Sequence, residues 1–210
     1  MVKKNTSDSR MSEVKVADPD QLVDSNQIEK VSTIGVFDSE GSERPFGGLI
    51  RHGTKLVIFI RHFNCGFCQD YLIAIKDRIS KEKLGDRDII VIGCGHWSVI
   101  KPYKELLDYP FEIYSDNTRQ LFDELGMICS LSAGDEKLHG HYTHGVLPTV
   151  LNSIANGWKM GIKTFVQSGK ISQLGGEFIF TDNECKFAHR MQNTRDHVEP
   201  EDLEKLIFQF

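Results

Sequence analysis

The sequence predicts an α/β fold with a central mixed β-sheet flanked by helices. Three observations carry this. Apolar, β-branched runs alternate with helical patterns three times between residues 55 and 125, the signature of parallel strands joined by right-handed crossovers. Further on, Gly176-Glu177-Phe178-Ile179-Phe180 and Lys186-Phe187-Ala188-His189-Arg190 are separated by the turn Thr181-Asp182-Asn183-Glu184, so they form an antiparallel hairpin. Finally, the run Lys55-Leu56-Val57-Ile58-Phe59-Ile60 passes into Cys65-Gly66-Phe67-Cys68 and then into a helix.

Taken in order, residues 1–28 are Ser-, Asp- and Lys-rich and read as a disordered leader, with at most one helical turn near Pro19 to Val23. The domain proper spans 29–210. A short strand at Ile34 to Asp38, a turn at Ser39-Glu40-Gly41 and a second short segment at Pro45 to Leu49 open it. The buried strand at 55–61 follows, then a helix to about Leu84. On that helix Cys68, Leu72, Ile75 and Ile79 recur at i, i+4, i+7 and i+11, one apolar stripe. Cys68 therefore faces the core, and Cys65, one turn earlier, is expected at the solvent-accessible cap.

The run Arg87 to Gly95 is a second buried strand ending in glycines, and Trp97 to Leu107 is a helix with Pro102 in its first turn, where a missing N–H is tolerated. Phe111-Glu112-Ile113-Tyr114 is a short strand. Ser115 to Thr118 can cap a helix over Arg119 to Leu125, which Gly126 ends. An irregular stretch follows. An inserted helix is expected over 146–166, where Leu147, Leu151, Ile154, Trp158, Ile162 and Phe165 recur at three- and four-residue steps. After the hairpin, a last helix starts behind Pro200.

The chain has 210 residues, 40% hydrophobic and 26% charged, enough for one sizeable core. A net charge of −5 argues against a nucleic-acid or anionic-membrane surface. No apolar run approaches the ~20 residues of a spanning helix, and the polar N-terminus lacks a secretory apolar segment. A reducing, cytoplasmic compartment is therefore expected. There, five cysteines with one Cys-x-x-Cys beside a βαβ pattern point to redox or metal chemistry rather than structural disulfides.

A cysteine at a helix N-terminus meets unpaired N–H groups and the positive end of the helix dipole, which favour the thiolate. Cys94, Cys129 and Cys185 are isolated, and His139, His141 and His144 fit no common zinc spacing. No metal is expected. No Gly-rich dinucleotide fingerprint follows a strand, so no nucleotide cofactor is expected either. Arg61 and His62 flank the pair; a cation there lowers a thiolate's pKa, and the competing reading makes both surface residues. His189 and Arg190 alternate on a strand, so only one of them can face the site.

The element order resembles the thioredoxin fold with a peroxiredoxin-type elaboration. Phe59 to Cys68, Ile92-Gly93-Cys94-Gly95, Pro110 to Asp116, Leu174 to Phe180, Phe187-Ala188-His189-Arg190 and Thr194-Arg195-Asp196-His197 together are similar to the AhpC/TSA-type, peroxiredoxin-like antioxidant family that carries a CxxC, a group including the prostamide/prostaglandin F synthases. The resemblance implies thiol-dependent reduction of a hydroperoxide, an organic endoperoxide or a disulfide by Cys65 and Cys68, with thioredoxin or glutathione as reductant; a homodimer stays open.

It also implies a site. In the peroxiredoxin motif Arg61 stands in the place of the proline and Cys65 in that of the threonine, so only Cys68 matches the peroxidatic cysteine. Thioredoxins attack with the first cysteine, here Cys65, which its expected exposure favours. Arg190 is the counterpart of the arginine that peroxiredoxins bring to the cysteine. Leu174-Gly175-Gly176-Glu177 replaces the proline that faces the disulfide in thioredoxins and leaves Glu177 as a carboxylate proton carrier. Asp196 and His197 read as a loop-fixing and helix-capping pair. Two other classes are compatible: a biosynthetic enzyme of this fold without redox turnover, and a non-catalytic redox-sensing or binding protein.

Overall fold

The computed structural model describes residues 18–134 and 166–210. The expected helix at 146–166 and the three histidines at 139, 141 and 144 lie essentially outside them. Seven strands form one mixed sheet in the order β2-β1-β5-β4-β3-β6-β7. These are β1 (Gly35–Phe37), β2 (Glu43–Pro45), β3 (Thr54–Ile60), β4 (Asp88–Gly93), β5 (Glu112–Ser115), β6 (Gly176–Thr181) and β7 (Glu184–Arg190). β3, β4 and β5 are parallel, as the alternation with helices requires; β6 and β7 close that edge as an antiparallel hairpin.

Strand alternation divides the core into two layers. On β3, Leu56, Ile58 and Ile60 face one layer, with helices α3 (Gly66–Arg78) and α5 (Ile100–Leu107) and the C-terminal helix, here α7 (Pro200–Gln209). Val57 and Phe59 face the other, with α1 (Ser25–Ser32), α2 (Phe46–Ile50) and α6 (Gln120–Glu124). Both faces of β3 are covered, so its sequence is continuously apolar rather than alternating. The α3 stripe is buried as expected: Cys68, Leu72, Ile75 and Ile79 are all fully inaccessible. Burying each of the three aliphatic side chains contributes roughly 1.5–3 kcal/mol.

Two local expectations need correction. The helix after the cysteines ends at Arg78, and a separate turn, α4 (Lys81–Leu84), carries the chain to Gly85. The second short segment, 45–49, is mostly helix α2. The leader also ends earlier than position 28. Asp24 caps α1 by accepting from Gln27 N, and Val23, Ile28 and Val31 are buried in the second layer. Composition hid this because only those few apolar residues, at helical spacing, make the contact.

Candidate active site

β3 ends at Ile60, and Arg61 to Asn64 turn the chain into α3. Cys65 is the N-cap of that helix: its Sγ accepts from the backbone N–H of Cys68 at 3.4 Å. The helix N-terminus thus presents a backbone donor to the sulfur, as the sequence position implied. A second donor comes from Arg61, whose Nη1 lies 3.4 Å from Cys65 Sγ. Arg61 is buried and held by two carbonyls; Nη2 donates to Ile171 O (2.9 Å) and Nε to Gln173 O (3.3 Å). Its guanidinium is therefore fixed from three sides.

Cys65 itself is 3% exposed, and so is not the solvent-accessible cap that helix position alone suggests. The arginine beside it and the segment 167–174 packed on the 61–64 loop account for this. Phe63 N donates to Ser168 O, and His96 N donates to Gln167 O.

Electrostatics separates the two cysteines. Burial works against a charged Cys65. The Cys68 thiol, Arg61, His62 and the Cys68 N–H outweigh it and hold Cys65 well below the usual thiol range. For Cys68, burial and the neighbouring Cys65 push the thiol well above that range. The surroundings of Cys65 thus favour the thiolate, and those of Cys68 favour the protonated thiol. His62, buried beside the pair, is lowered by burial. All five cysteines are free.

Behind Cys68 lies a polar group inside the first core layer. Its Sγ is 3.6 Å from His197 Nε2, and His197 Nδ1 is 2.5 Å from Glu177 Oε1. Both side chains are wholly buried. The imidazole stacks on Tyr71 of α3, with ring centroids 4.1 Å apart and planes 11° from parallel. Glu177 reaches this position because β6 alternates: Phe178 and Phe180 face the second layer, while Glu177 and Ile179 face α3.

A buried cysteine that meets an arginine and a helix N-terminal N–H, one turn from a second buried cysteine, is an arrangement suited to redox chemistry. The family model for "AhpC/TSA antioxidant enzyme" matches residues 73–193, more than half of the chain. The chain belongs to the AhpC/TSA antioxidant family. Peroxiredoxin-like 2C of Homo sapiens is 31% identical over 171 residues, covering 80% of this chain and 74% of that protein. Its Mus musculus counterpart is 32% identical over the same shares. Among solved structures, peroxidoxin BcpB from Mycobacterium tuberculosis aligns with a TM-score of 0.55 at 11% identity, over 84% of this chain and 91% of that one. A peroxiredoxin-like protein from Aquifex aeolicus gives 0.52 at 11% identity, over 94% and 88%. At such identities these structures speak to the fold alone. The matched family region starts at residue 73, just beyond the cysteine pair.

In this AhpC/TSA family member the structure gathers Arg61, Cys65, Cys68 and Glu177 but not Arg190. The β7 register explains the exception. His189 lies opposite Glu177 and Arg190 opposite Gly176, so Arg190 shares the Phe178 face, away from α3. There it donates to Leu125 O (2.5 Å), Pro19 O (3.0 Å) and Gln21 O (2.7 Å), over the Phe178 ring at 5.3 Å. It clasps the N-terminal segment to the second layer.

His197, read from sequence with Asp196 as a loop-fixing and helix-capping pair, stands instead between Cys68 and Glu177. Asp196 does fix the loop, accepting from Gln192 N at 2.7 Å and lying by His189, but His197 turns inward to Glu177. No local signal marks it, since it sits in irregular chain three residues before Pro200. Cys94 lies beneath the same loop, its thiol donating to Arg61 O at 3.0 Å; burial pushes it up to about 11.

Gly175 is needed where thioredoxins place proline. A Cβ there would run into the Phe59 carbonyl and approach the Met191 sulfur. Among the described residues, no group of three or more His, Cys, Asp or Glu side chains is arranged to hold a metal ion. No helix among them is long and apolar enough to cross a membrane.

Proposed function

We propose that this protein reduces a peroxide, either a hydroperoxide or an organic endoperoxide, through the Cys65/Cys68 pair, with Cys65 as nucleophile. The observation that carries the reading is the pair of donors, Arg61 Nη1 and Cys68 N, aimed at Cys65 Sγ from 3.4 Å each. They stabilise the attacking thiolate, and the guanidinium can also hydrogen-bond the oxygen that accumulates charge as the O–O bond breaks.

For a hydroperoxide, the Cys65 thiolate takes the terminal oxygen. The O–O bond breaks, the alkoxide leaves and takes a proton from solvent to become the alcohol, and Cys65 becomes a sulfenic acid. Cys68 then attacks that sulfur, forming the 65–68 disulfide and releasing water. An external dithiol such as thioredoxin, or two glutathione thiols, reduces the disulfide. The same first sulfur could attack a disulfide substrate. Gly175 in place of the thioredoxin proline weighs against recognition of extended peptide disulfides.

Peroxide consumption with a dithiol donor tests the reading. Cys65→Ser is expected to lose activity by at least about 10³-fold, whereas Cys68→Ser keeps the first oxidation and accumulates a mixed disulfide with a thioredoxin that lacks its own second cysteine. Wild-type consumption by the Cys65→Ser protein overturns the assignment.

A further inference from the structure

The polar group behind Cys68 is unusual for a core layer. Glu177 and His197 sit among aliphatic and aromatic side chains, fully buried, where an unpaired charge is costly. Their geometry has a direction. An ionised carboxylate only accepts hydrogen bonds, so its contact with His197 fixes the proton on Nδ1. The ring's other nitrogen, Nε2, then turns its lone pair towards Cys68 Sγ, 3.6 Å away. Tyr71 stacked on the imidazole prevents it from swinging aside. Glu177 Oε2 has no hydrogen-bond partner among the described residues. The contact with His197 is the carboxylate's only hydrogen bond among the described residues, which suits it to stabilise a cationic ring.

The other buried thiol at this site has no such neighbour among the described residues. Cys94 gives its proton to the backbone oxygen of Arg61, which cannot take it up. Cys68 has an imidazole nitrogen instead. It is also the thiol that has to lose a proton before it can act, since its surroundings favour the protonated form.

We propose that His197 is the proton acceptor for Cys68 when that residue closes on oxidised Cys65, and that Glu177 is the positioning residue that fixes its tautomer. The role rests on the reading in which Cys65 attacks and Cys68 resolves. The step balances with one proton from solvent. His197 Nε2 takes the Cys68 proton, and the Cys68 sulfur attacks the sulfenic sulfur of Cys65. The S–S bond forms as the S–O bond breaks, the departing hydroxide takes a proton from solvent to leave as water, and the imidazolium keeps the Cys68 proton. When an external thiolate attacks the disulfide at Cys65, Cys68 departs as a thiolate and takes that proton back from His197.

The two oxidation steps can be followed separately in the full chain with one equivalent of hydrogen peroxide. Loss of free Cys65 thiol reports the first. Mass-spectrometric appearance of the 65–68 disulfide, against dimedone capture of the Cys65 sulfenic acid, reports the second. In His197→Gln the first step is expected to stay near the wild-type rate while disulfide closure slows about 100-fold, in the range of general acid–base catalysis, so the sulfenic acid accumulates. Glu177→Gln, which keeps shape but removes charge, is expected to slow closure about tenfold, with Glu177→Asp recovering part of the loss.

Closure at the wild-type rate in both variants overturns the proposal and leaves the role of Cys65 intact. A parallel fall in both steps, with a lowered Tm, overturns it too by making the pair purely structural. If wild-type Cys65 itself is not oxidised, the underlying reading fails, and the proposal with it.

Discussion

Two buried arginines, Arg61 and Arg190, stand at the ends of β3 and β7, the strands on either side of β6, and do different things. Each is about as inaccessible as the other, at 5% and 3% exposure, and each binds backbone carbonyls. Arg190 directs its hydrogen bonds to main-chain oxygens of Leu125, Asp18, Pro19 and Gln21. Arg61 gives two bonds to carbonyls and leaves Nη1 for the Cys65 sulfur. Burial of an arginine is therefore no mark of a redox site. The mark is a guanidinium whose orientation is fixed by the main chain and which still has a donor to offer a nucleophile.

Exchanging each arginine for methionine tests this contrast. Arg190→Met should give the largest loss, about 3 kcal/mol of stability, because several buried carbonyls lose a charged donor and the N-terminal segment loosens. Urea unfolding measures it. The rate at which iodoacetamide alkylates Cys65 should stay within about twofold of wild type, as expected for distant, independent sites.

Arg61→Met should reverse the pattern. Without the guanidinium the Cys65 pKa rises, and alkylation at pH 7 should slow by roughly 10- to 100-fold. In wild type, Cys65 should already be reactive well below pH 9, while Cys68 remains protonated and inert. An Arg61→Met protein that alkylates at the wild-type rate would remove the arginine from the site.

The smallest effect belongs to His189, which holds the N-terminal segment from the other face of β7. Its Nδ1 pairs with Asp20 at 2.9 Å, and its Nε2 donates to Asp196 O at 3.0 Å. Burial opposes its charge, but Asp196, Glu177 and Asp20 outweigh burial and raise its pKa from 6.5 to about 10. Stability from the charged ring is thus in full below pH 6.5 and is lost as the pH rises towards 10. Wild type should exceed His189→Gln by about 1 kcal/mol at pH 6, a gap that closes near pH 10. Paired urea midpoints at the two pH values measure it, and a constant gap would show that the ring is neutral throughout.

Much of this architecture is legible locally. The continuous apolar run of β3 reports a strand covered on both faces, and the stripe from Cys68 to Ile79 reports the face of α3. The position of Cys65 before a helical pattern reports its N-cap. What proved illegible involves a second part of the chain. Cys65 looked exposed because its own helix leaves it at the cap; carbonyls at 171 and 173, some 110 residues on, hold the arginine that buries it. Arg190 looked suited to the cysteine by analogy, but a register of one residue decides its face, and no local pattern around Phe187 to Arg190 fixes that register.

The sequence by itself determined the layered α/β sheet, the position of the cysteine pair at the β3–α3 junction and the core-facing place of Cys68, because periodicity and capping act within one turn or one strand. Only the tertiary structure decided which charged groups meet the two sulfurs. His197 lies 129 residues from Cys68, and Glu177 faces it only because β6 pairs with β3 so that Glu177 falls opposite Ile58. Sheet register and loop path bring these groups within hydrogen-bonding reach, and neither is encoded in any short stretch of residues.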